Sequence, residues 1–286
     1  MRNVVRVLVF LAYILALAAG FLLFAEPAPP KADARDRVAG IVGKIVKADY
    51  GDDRPALRRL YDELAPYTAQ PGDARFASRV RYWRGFALWR RVLNGFNDKS
   101  PREEQEADLA GCVAEFDEAL AKDPAFVDAR VGKTSCLLSF WMLDRENQEK
   151  RDRATKEFAV LKEDAKTTAS ENPRVILMVA AGLWFAPADK GGGHDKALEM
   201  YQQGLRAARA KTAKADPLDP SWGEPELLSN IAWAHLNKET PDLDAAEANV
   251  RAALDIVPYW HYARDILMKQ IRDAREGKAK TASGSS

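Results

Sequence analysis

Apolar residues recur along this chain at intervals of three and four positions, which is the spacing of one face of an α-helix. Pro and Gly residues interrupt the pattern and mark where one helix ends and the next begins. Strictly alternating apolar and polar stretches, which are typical of half-buried strands, are scarce. The pattern predicts an all-α protein with helices near residues 35–48, 54–66, 75–95, 103–122, 126–143, 151–168, 174–185, 195–213, 225–237, 243–256 and 260–277.

An uncharged apolar run of 19 residues, from Val7 to Ala25, precedes the helical region and follows Arg2 and Arg6. The run reaches the ~18 residues of a membrane-spanning helix and exceeds the ~7–15 residues of a signal-peptide core. Its length favours an uncleaved anchor, and a cleaved signal peptide is the alternative. Because the positive charge lies on the N-terminal side of the run, we expect the rest of the chain outside the cytoplasm in either case.

Small and aromatic residues repeat at fixed intervals inside alternate helices. The sets with the same spacing of four, three and five positions are Cys112, Phe116, Ala119 and Pro124, and then Ala246, Val250, Ala253 and Pro258. Two further sets repeat the first three positions, namely Ala197, Tyr201 and Gly204 and, more loosely, Ala154, Phe158 and Leu161. In partner helices, Gly85 and Ala232 lie where a small side chain lets a neighbouring helix approach closely. This pattern resembles the tetratricopeptide repeat.

The resemblance covers roughly residues 75–277 and implies a solenoid of antiparallel helix pairs, with about four to five degenerate repeats and a C-terminal capping helix. Pro124 and Pro173 stand 49 positions apart, against ~34 in the regular repeat, so loops are inserted and a single regular superhelix is not expected. The chain then divides into an anchor or signal peptide over 1–25, a linker over 26–33, a repeat domain over 34–277 and a disordered polar tail over 278–286.

Charge narrows the range of partners. The chain has 43 Lys and Arg residues against 42 Asp and Glu residues, which gives a formal net charge of +1. A surface without excess positive charge has no long-range attraction for nucleic acid. We therefore expect no nucleic-acid partner.

The two cysteines, Cys112 and Cys136, lie in consecutive predicted helices. In the repeat family these helices stack, so the resemblance implies that the two residues lie close together. An exported location permits a disulfide between them. The alternative is a pair of buried free thiols, since free Cys is among the most buried residue types.

Residues able to support catalysis or metal binding are few. The three histidines, His194, His235 and His261, belong to different repeat units, and no nucleophile, metalloprotease or phosphate-loop motif occurs. The glycines before His194 are not followed by Lys and Ser or Thr, so they favour a tight turn between helices. We expect no enzyme activity, no metal site and no cofactor.

Aromatic residues supply the candidate binding surface. In the repeat family, the first helix of each pair lines the concave face, and alignment on Gly85 and Ala232 places six residues there: Tyr82, Phe86, Trp89, Arg90, Trp233 and Asn237. The alternative is that these aromatic residues belong to the core, because Trp and Tyr are commonly buried. Family members that bind chaperone C-termini use Lys and Asn where Tyr82 and Phe86 stand here, so that activity is not expected.

The leading hypothesis is an interaction scaffold that binds a protein or peptide segment in its concave groove, at the outer face of a bacterial inner membrane or, if cleaved, in the periplasm. The alternative is a solute-binding accessory protein with a small-molecule pocket closed by the inserted loops. A deep, enclosed apolar pocket beside Trp184 or Trp233 would favour the alternative over an open groove.

Overall fold

A computed structural model describes residues 33–69, 73–210 and 216–283, with side chains up to residue 277. Residues from Val38 onward form one compact unit, and it is this unit that is described below. The α-helices of the described ranges are α1 (Ala34–Tyr50), α2 (Arg54–Glu63), α3 (Ala74–Asn97), α4 (Arg102–Lys122), α5 (Val127–Leu143), α6 (Gln148–Asp164), α7 (Pro173–Phe185), α8 (His194–Ala210), α9 (Glu224–Asn237), α10 (Leu243–Ile256) and α11 (Met268–Ser283). The described residues contain no strand, which confirms the all-α prediction.

Short helical segments complete the structure. Two 3-10 helices, Ala65–Tyr67 and Ala188–Lys190, follow α2 and α7, and a π-helical segment, Tyr262–Leu267, leads into α11. The last helix continues to Ser283, past residue 278, at which the polar tail was predicted to begin. Four of the six residues from Lys278 to Ser283 are Ala or Lys, and both are good helix formers. That explains why the helix outlasts Gly277.

Local signals fix where several helices begin. The side chains of Asp73, Asn172 and Asp242 each accept a hydrogen bond from a backbone N–H in the first turn of α3, α7 and α10. Such caps satisfy N–H groups that have no partner within the helix. Helices α2, α7 and α9 each have a Pro in the first turn. Pro favours a helix start there, because the N–H that it lacks would have no partner within the helix.

The helices pack as consecutive pairs, and the repeated small and aromatic positions lie at the contacts between them. Phe116 shows the principle: its ring lies against both Gly85 of α3 and Gly132 of α5. A Cβ atom at position 132 would stand 2.3 Å from this ring, so the close approach of these helices requires glycine. The prediction that Gly85 permits close helix packing is confirmed.

The C-terminal end of α1 packs against helices near the C-terminal end of the chain. Tyr50 at the end of α1 shares a hydrophobic cluster with Leu228, Val250 and Trp260. Its hydroxyl donates a hydrogen bond of 2.8 Å to Glu226 of α9, and its ring meets the Trp260 ring edge to face at 5.2 Å. Residues far apart in sequence therefore share one hydrophobic cluster.

The apolar run predicted to anchor the chain, Val7 to Ala25, lies outside the described residues. Among the helices that are described, none combines the length and apolar character that a membrane crossing requires.

Candidate functional site

The predicted groove residues of α3 lie in the protein interior. The side chains of Tyr82, Phe86 and Trp89 are 0%, 1% and 3% exposed. The prediction that these aromatic residues project from an open concave surface is therefore wrong. Their rings pack against one another and against Phe116 at centroid distances of 5.7–6.5 Å, as in a hydrophobic core.

The reason is that part of the inserted loop before α9, residues 216–223, covers this face. Leu218 in this loop segment is 0% exposed, and its carbonyl oxygen accepts a 2.8 Å hydrogen bond from the indole of Trp83. Trp222 is also buried and donates from its indole to the hydroxyl oxygen of Tyr82 at 2.8 Å. The chain thus fills its own concave face at the position where the family resemblance placed a ligand.

The other three predicted residues do not share that face. Arg90 is half-buried and forms a 2.6 Å ion pair with Asp49. Trp233 is partly buried in a different cluster, where its ring meets that of Trp184 at 5.2 Å. Asn237 is exposed, and its amide donates to the carbonyl oxygen of Trp233 at 2.8 Å. The six residues therefore do not form one surface.

The two cysteines lie close together, as the family resemblance implied, whereas the sequence left open whether they are bonded. Cys112 of α4 and Cys136 of α5 form a disulfide with a Cα–Cα distance of 6.8 Å, and both are completely buried. Disulfides persist in oxidising compartments. The bond therefore fits an extracytoplasmic location.

An apolar cleft opens instead between α5, α6 and α7. It has a volume of about 520 Å³. Helix α6 packs closely on α5 but meets α7 at few positions, which leaves space between the three helices. The lining residues are Leu138, Trp141, Met142, Arg145, Thr155, Phe158, Met178, Ala181, Gly182, Phe185 and Ala186.

Large apolar side chains stand exposed at this cleft. Phe185 at the end of α7 is 77% exposed and Met142 near the end of α5 is 55% exposed, the two largest exposures among the large apolar residues described. Burying apolar surface of this kind stabilises a complex by roughly 25 cal/mol per Å². These residues are candidates for ligand contact rather than for packing.

Two local features shape the wall of the cleft. A Cβ atom at Gly182 would stand 2.3 Å from the ring of Phe158, so the glycine allows that ring to lie directly against α7. The indole of Trp141 donates to the carbonyl oxygen of Arg145 at 3.2 Å, which ties the ring to the turn after α5. The two aromatic walls are thus held by the backbone of adjacent elements.

Polar groups in the cleft are few. Arg145 is the one charged residue among those that line it, and Thr155 supplies the one hydroxyl. The lining contains no His, Tyr or Cys, and its sulfur atoms are the thioethers of Met142 and Met178. Such a surface suits contact with an apolar ligand.

A second cleft, of about 450 Å³, is lined by charged groups that already have partners. Arg79 pairs with Asp123 and Asp219 at 2.8 and 2.6 Å, and Arg174 pairs with Asp128 at 2.6 Å. A ligand there would have to displace these ion pairs. The apolar cleft is therefore the stronger candidate.

The sequence did not single out the residues of the apolar cleft as a site, and Phe158 was named only as a repeat position. Residues Val175 to Phe185 of helix α7 are apolar on nearly every side of the helix. The spacing of apolar residues therefore could not indicate which side lacks a protein neighbour. The excess of apolar residues in this helix was the available signal.

These features define an all-α protein of pairwise-packed helices with an apolar cleft. No protein-family model matches the chain, and no curated protein matches it. Among solved structures, the fold is similar to that of the HusA haemophore from Porphyromonas gingivalis, with a TM-score of 0.56 and 16% sequence identity over 76% of this chain and 98% of that chain. At this identity the likeness concerns the fold.

Proposed function

We propose that this chain is an extracytoplasmic binding protein that holds a flat, apolar small molecule of the porphyrin class in the cleft between α5, α6 and α7. The observation that carries the proposal is the cleft itself, with exposed Phe185 and Met142 beside it. The protein would act by binding, without catalysing a reaction. This proposal develops the solute-binding hypothesis raised by the sequence.

The size and walls of the cleft support this ligand class. Its volume of about 520 Å³ lies within the ~300–1,000 Å³ of small-molecule sites. Trp141, Phe158 and Phe185 offer ring faces or edges for a planar conjugated ligand. The structural neighbour with the same fold is named a haemophore, which favours porphyrins among planar apolar ligands.

The lining of the cleft suits the apolar ring of a porphyrin better than it suits ligation of a metal at the ring centre. Haem iron is held in proteins by His, Cys, Met or Tyr, and only the Met142 and Met178 thioethers represent this set in the lining. We infer that apolar contact supplies most of the affinity. Haem would then be a cargo recognised by its ring.

The proposal is tested by titrating the chain from Asp33 to Ser286, which contains the whole compact unit that begins at Val38. Circular dichroism first verifies that this chain is helical. Haemin is then added while the Soret band and the tryptophan fluorescence are followed, with Trp141 in the cleft as an internal reporter. We expect saturable one-to-one binding with a dissociation constant of ~1 μM or below.

A pair of variants locates the site. Phe185→Asp places a charge beside the cleft and should weaken haemin binding at least ~10-fold, because a charge beside an apolar ligand remains poorly solvated. Tyr259→Asp changes an aromatic residue that is 44% exposed and lies away from the cleft, and it should bind as the unaltered chain does. Absence of saturable binding, or equal loss in both variants, would overturn the proposal.

A protein partner is the second candidate, as in the scaffold hypothesis. The exposure of Phe185 and Met142 also suits an amphipathic segment laid into the cleft. Crosslinking in intact cells followed by mass spectrometry would test this candidate. It is supported if one envelope protein is captured by the unaltered chain and by Tyr259→Asp but lost with Phe185→Asp.

A further inference from the structure

Arg145 brings a positive charge to a surface that is otherwise apolar. It lies in the turn between α5 and α6, is exposed, and is the one charged residue among those lining the cleft. Its backbone is fixed by the 3.2 Å hydrogen bond from the indole of Trp141. The backbone of Arg145 therefore lies beside Trp141, one of the aromatic residues that line the cleft.

Nearby acidic groups leave this guanidinium available. Asp144, the preceding residue, is engaged by the ammonium group of Lys150 at 3.1 Å and by the amide of Asn147 at 3.3 Å. Glu146, the following residue, does not line the cleft. Within the described residues, no carboxylate lies at ion-pair distance from Arg145, in contrast to arginines such as Arg79, Arg90 and Arg174.

We infer that Arg145 pairs with a carboxylate of the ligand, so that the cleft selects apolar acids over neutral molecules of the same shape. This inference rests on the proposed function. It adds that the ligand is amphipathic, with an apolar ring in the cleft and an acidic group at its rim. Arg145 is then a specificity-determining residue.

The chemistry of arginine suits this role. Its planar guanidinium donates two parallel hydrogen bonds to a carboxylate, and it carries its charge at any physiological pH. An exposed ion pair alone contributes little. Here the apolar body of the ligand would cover the pair and lower its contact with water, which strengthens the attraction.

The test compares two ligands with the same macrocycle, mesoporphyrin IX and its dimethyl ester, in which methyl esters replace the two charged carboxylates. Both are titrated into the chain from Asp33 to Ser286 at about 0.05 M and about 0.5 M salt. We expect the diacid to bind about tenfold more tightly than the diester at low salt. The preference should shrink somewhat at high salt, because salt still screens a pair that the ligand covers on one side only.

Two variants then assign the preference to one side chain. Arg145→Gln should reduce the preference for the diacid to within about twofold and leave diester binding unchanged. Arg153→Gln removes an exposed arginine from α6 that does not line the cleft, and it should keep the full preference. Both substitutions are at exposed positions, so thermal melts should match the unaltered chain.

The outcomes separate this inference from the proposed function. If neither porphyrin binds, the proposed function fails. If diacid and diester bind equally, or if Arg145→Gln keeps the preference for the diacid, then the role assigned to Arg145 is wrong and the porphyrin site stands.

Discussion

The indole N–H of Trp222 donates a 2.8 Å hydrogen bond to the hydroxyl oxygen of Tyr82, and both side chains are buried. The bond joins the loop before α9 to the middle of α3, across 140 positions of sequence. A residue of the inserted loop thus occupies the face on which a peptide was expected. The loop is part of the protein core.

Replacing Trp222 by Ala should therefore lower stability. Removing a buried Trp leaves a cavity and typically costs ~3–5 kcal/mol, and here the Tyr82 hydroxyl also loses its donor. Chemical denaturation followed by circular dichroism measures the effect. Phe185→Ala is the control, since Phe185 is 77% exposed and its loss should change stability by at most ~0.5 kcal/mol. Unchanged stability in Trp222→Ala would show that the loop is a displaceable cover.

Reduction of the disulfide should destabilise the fold. Cys112 and Cys136 are separated by 24 positions, and closing a loop of that length removes unfolded-state entropy equivalent to about 3.5 kcal/mol. Urea unfolding with and without a reductant measures the difference. The double variant Cys112→Ala with Cys136→Ala should show no response to reductant. A response in that variant would mean that the reductant acts elsewhere.

Stability should also depend on the ionisation of Asp49. Burial raises the pKa of this carboxyl from 3.8 to about 6, although the ion pair with Arg90 opposes the shift. Glu226 and Asp52 add smaller contributions that raise the pKa further. Carboxyl-carbon NMR should find a titration near pH 6 that is absent in Asp49→Asn.

The sign follows from linkage between protonation and folding. Below pH 3.8 both states hold the proton, and between about pH 4 and 6 the unfolded chain releases it while the folded chain retains it. The contribution of Asp49 to the free energy of unfolding should thus fall by about 3 kcal/mol as the pH rises through this window. Asp49→Asn removes this contribution. A difference between the two proteins that grows in the opposite direction would contradict the raised pKa.

Binding of porphyrins should depend little on the metal. Because the cleft lining lacks His, Tyr and Cys, haemin and metal-free mesoporphyrin should bind with dissociation constants within ~10-fold of each other. Met142→Leu and Met178→Leu conserve volume and should change haemin affinity less than ~3-fold. Loss of haemin binding in either variant, with mesoporphyrin binding intact, would identify that thioether as an iron ligand.

The helices could be predicted from sequence because their limits are local. The predicted helix over 243–256 matches α10, where Asp242 caps the start and Pro258 follows the end. Repeat positions such as Ala246 and Val250 are buried as expected for contacts between helices. Spacing along one helix determines which residues share a face.

Spacing could not determine what covers a face. The register of Tyr82 and Trp89 on α3 was consistent with a shared helix face, yet Trp222 from a distant loop lies over that face. The apolar cleft has the opposite origin, because it exists where α6 fails to cover α7. Both outcomes depend on the path of the chain through inserted segments, which local patterns do not encode.

The contact of Tyr50 with α9 and Trp260 affects how readily this chain could lose or gain a helix pair. A linear array of repeats loses or gains a member at its end with little effect on distant members. Here the hydrogen bond from Tyr50 to Glu226 spans 176 positions. Removing the helices from α9 onward would therefore expose the end of α1. Duplication of a repeat would separate Tyr50 from Trp260 in the same way. Insertions in the loops between helices can therefore add contacts without breaking this one, and the loop segment that contains Trp222 is an example.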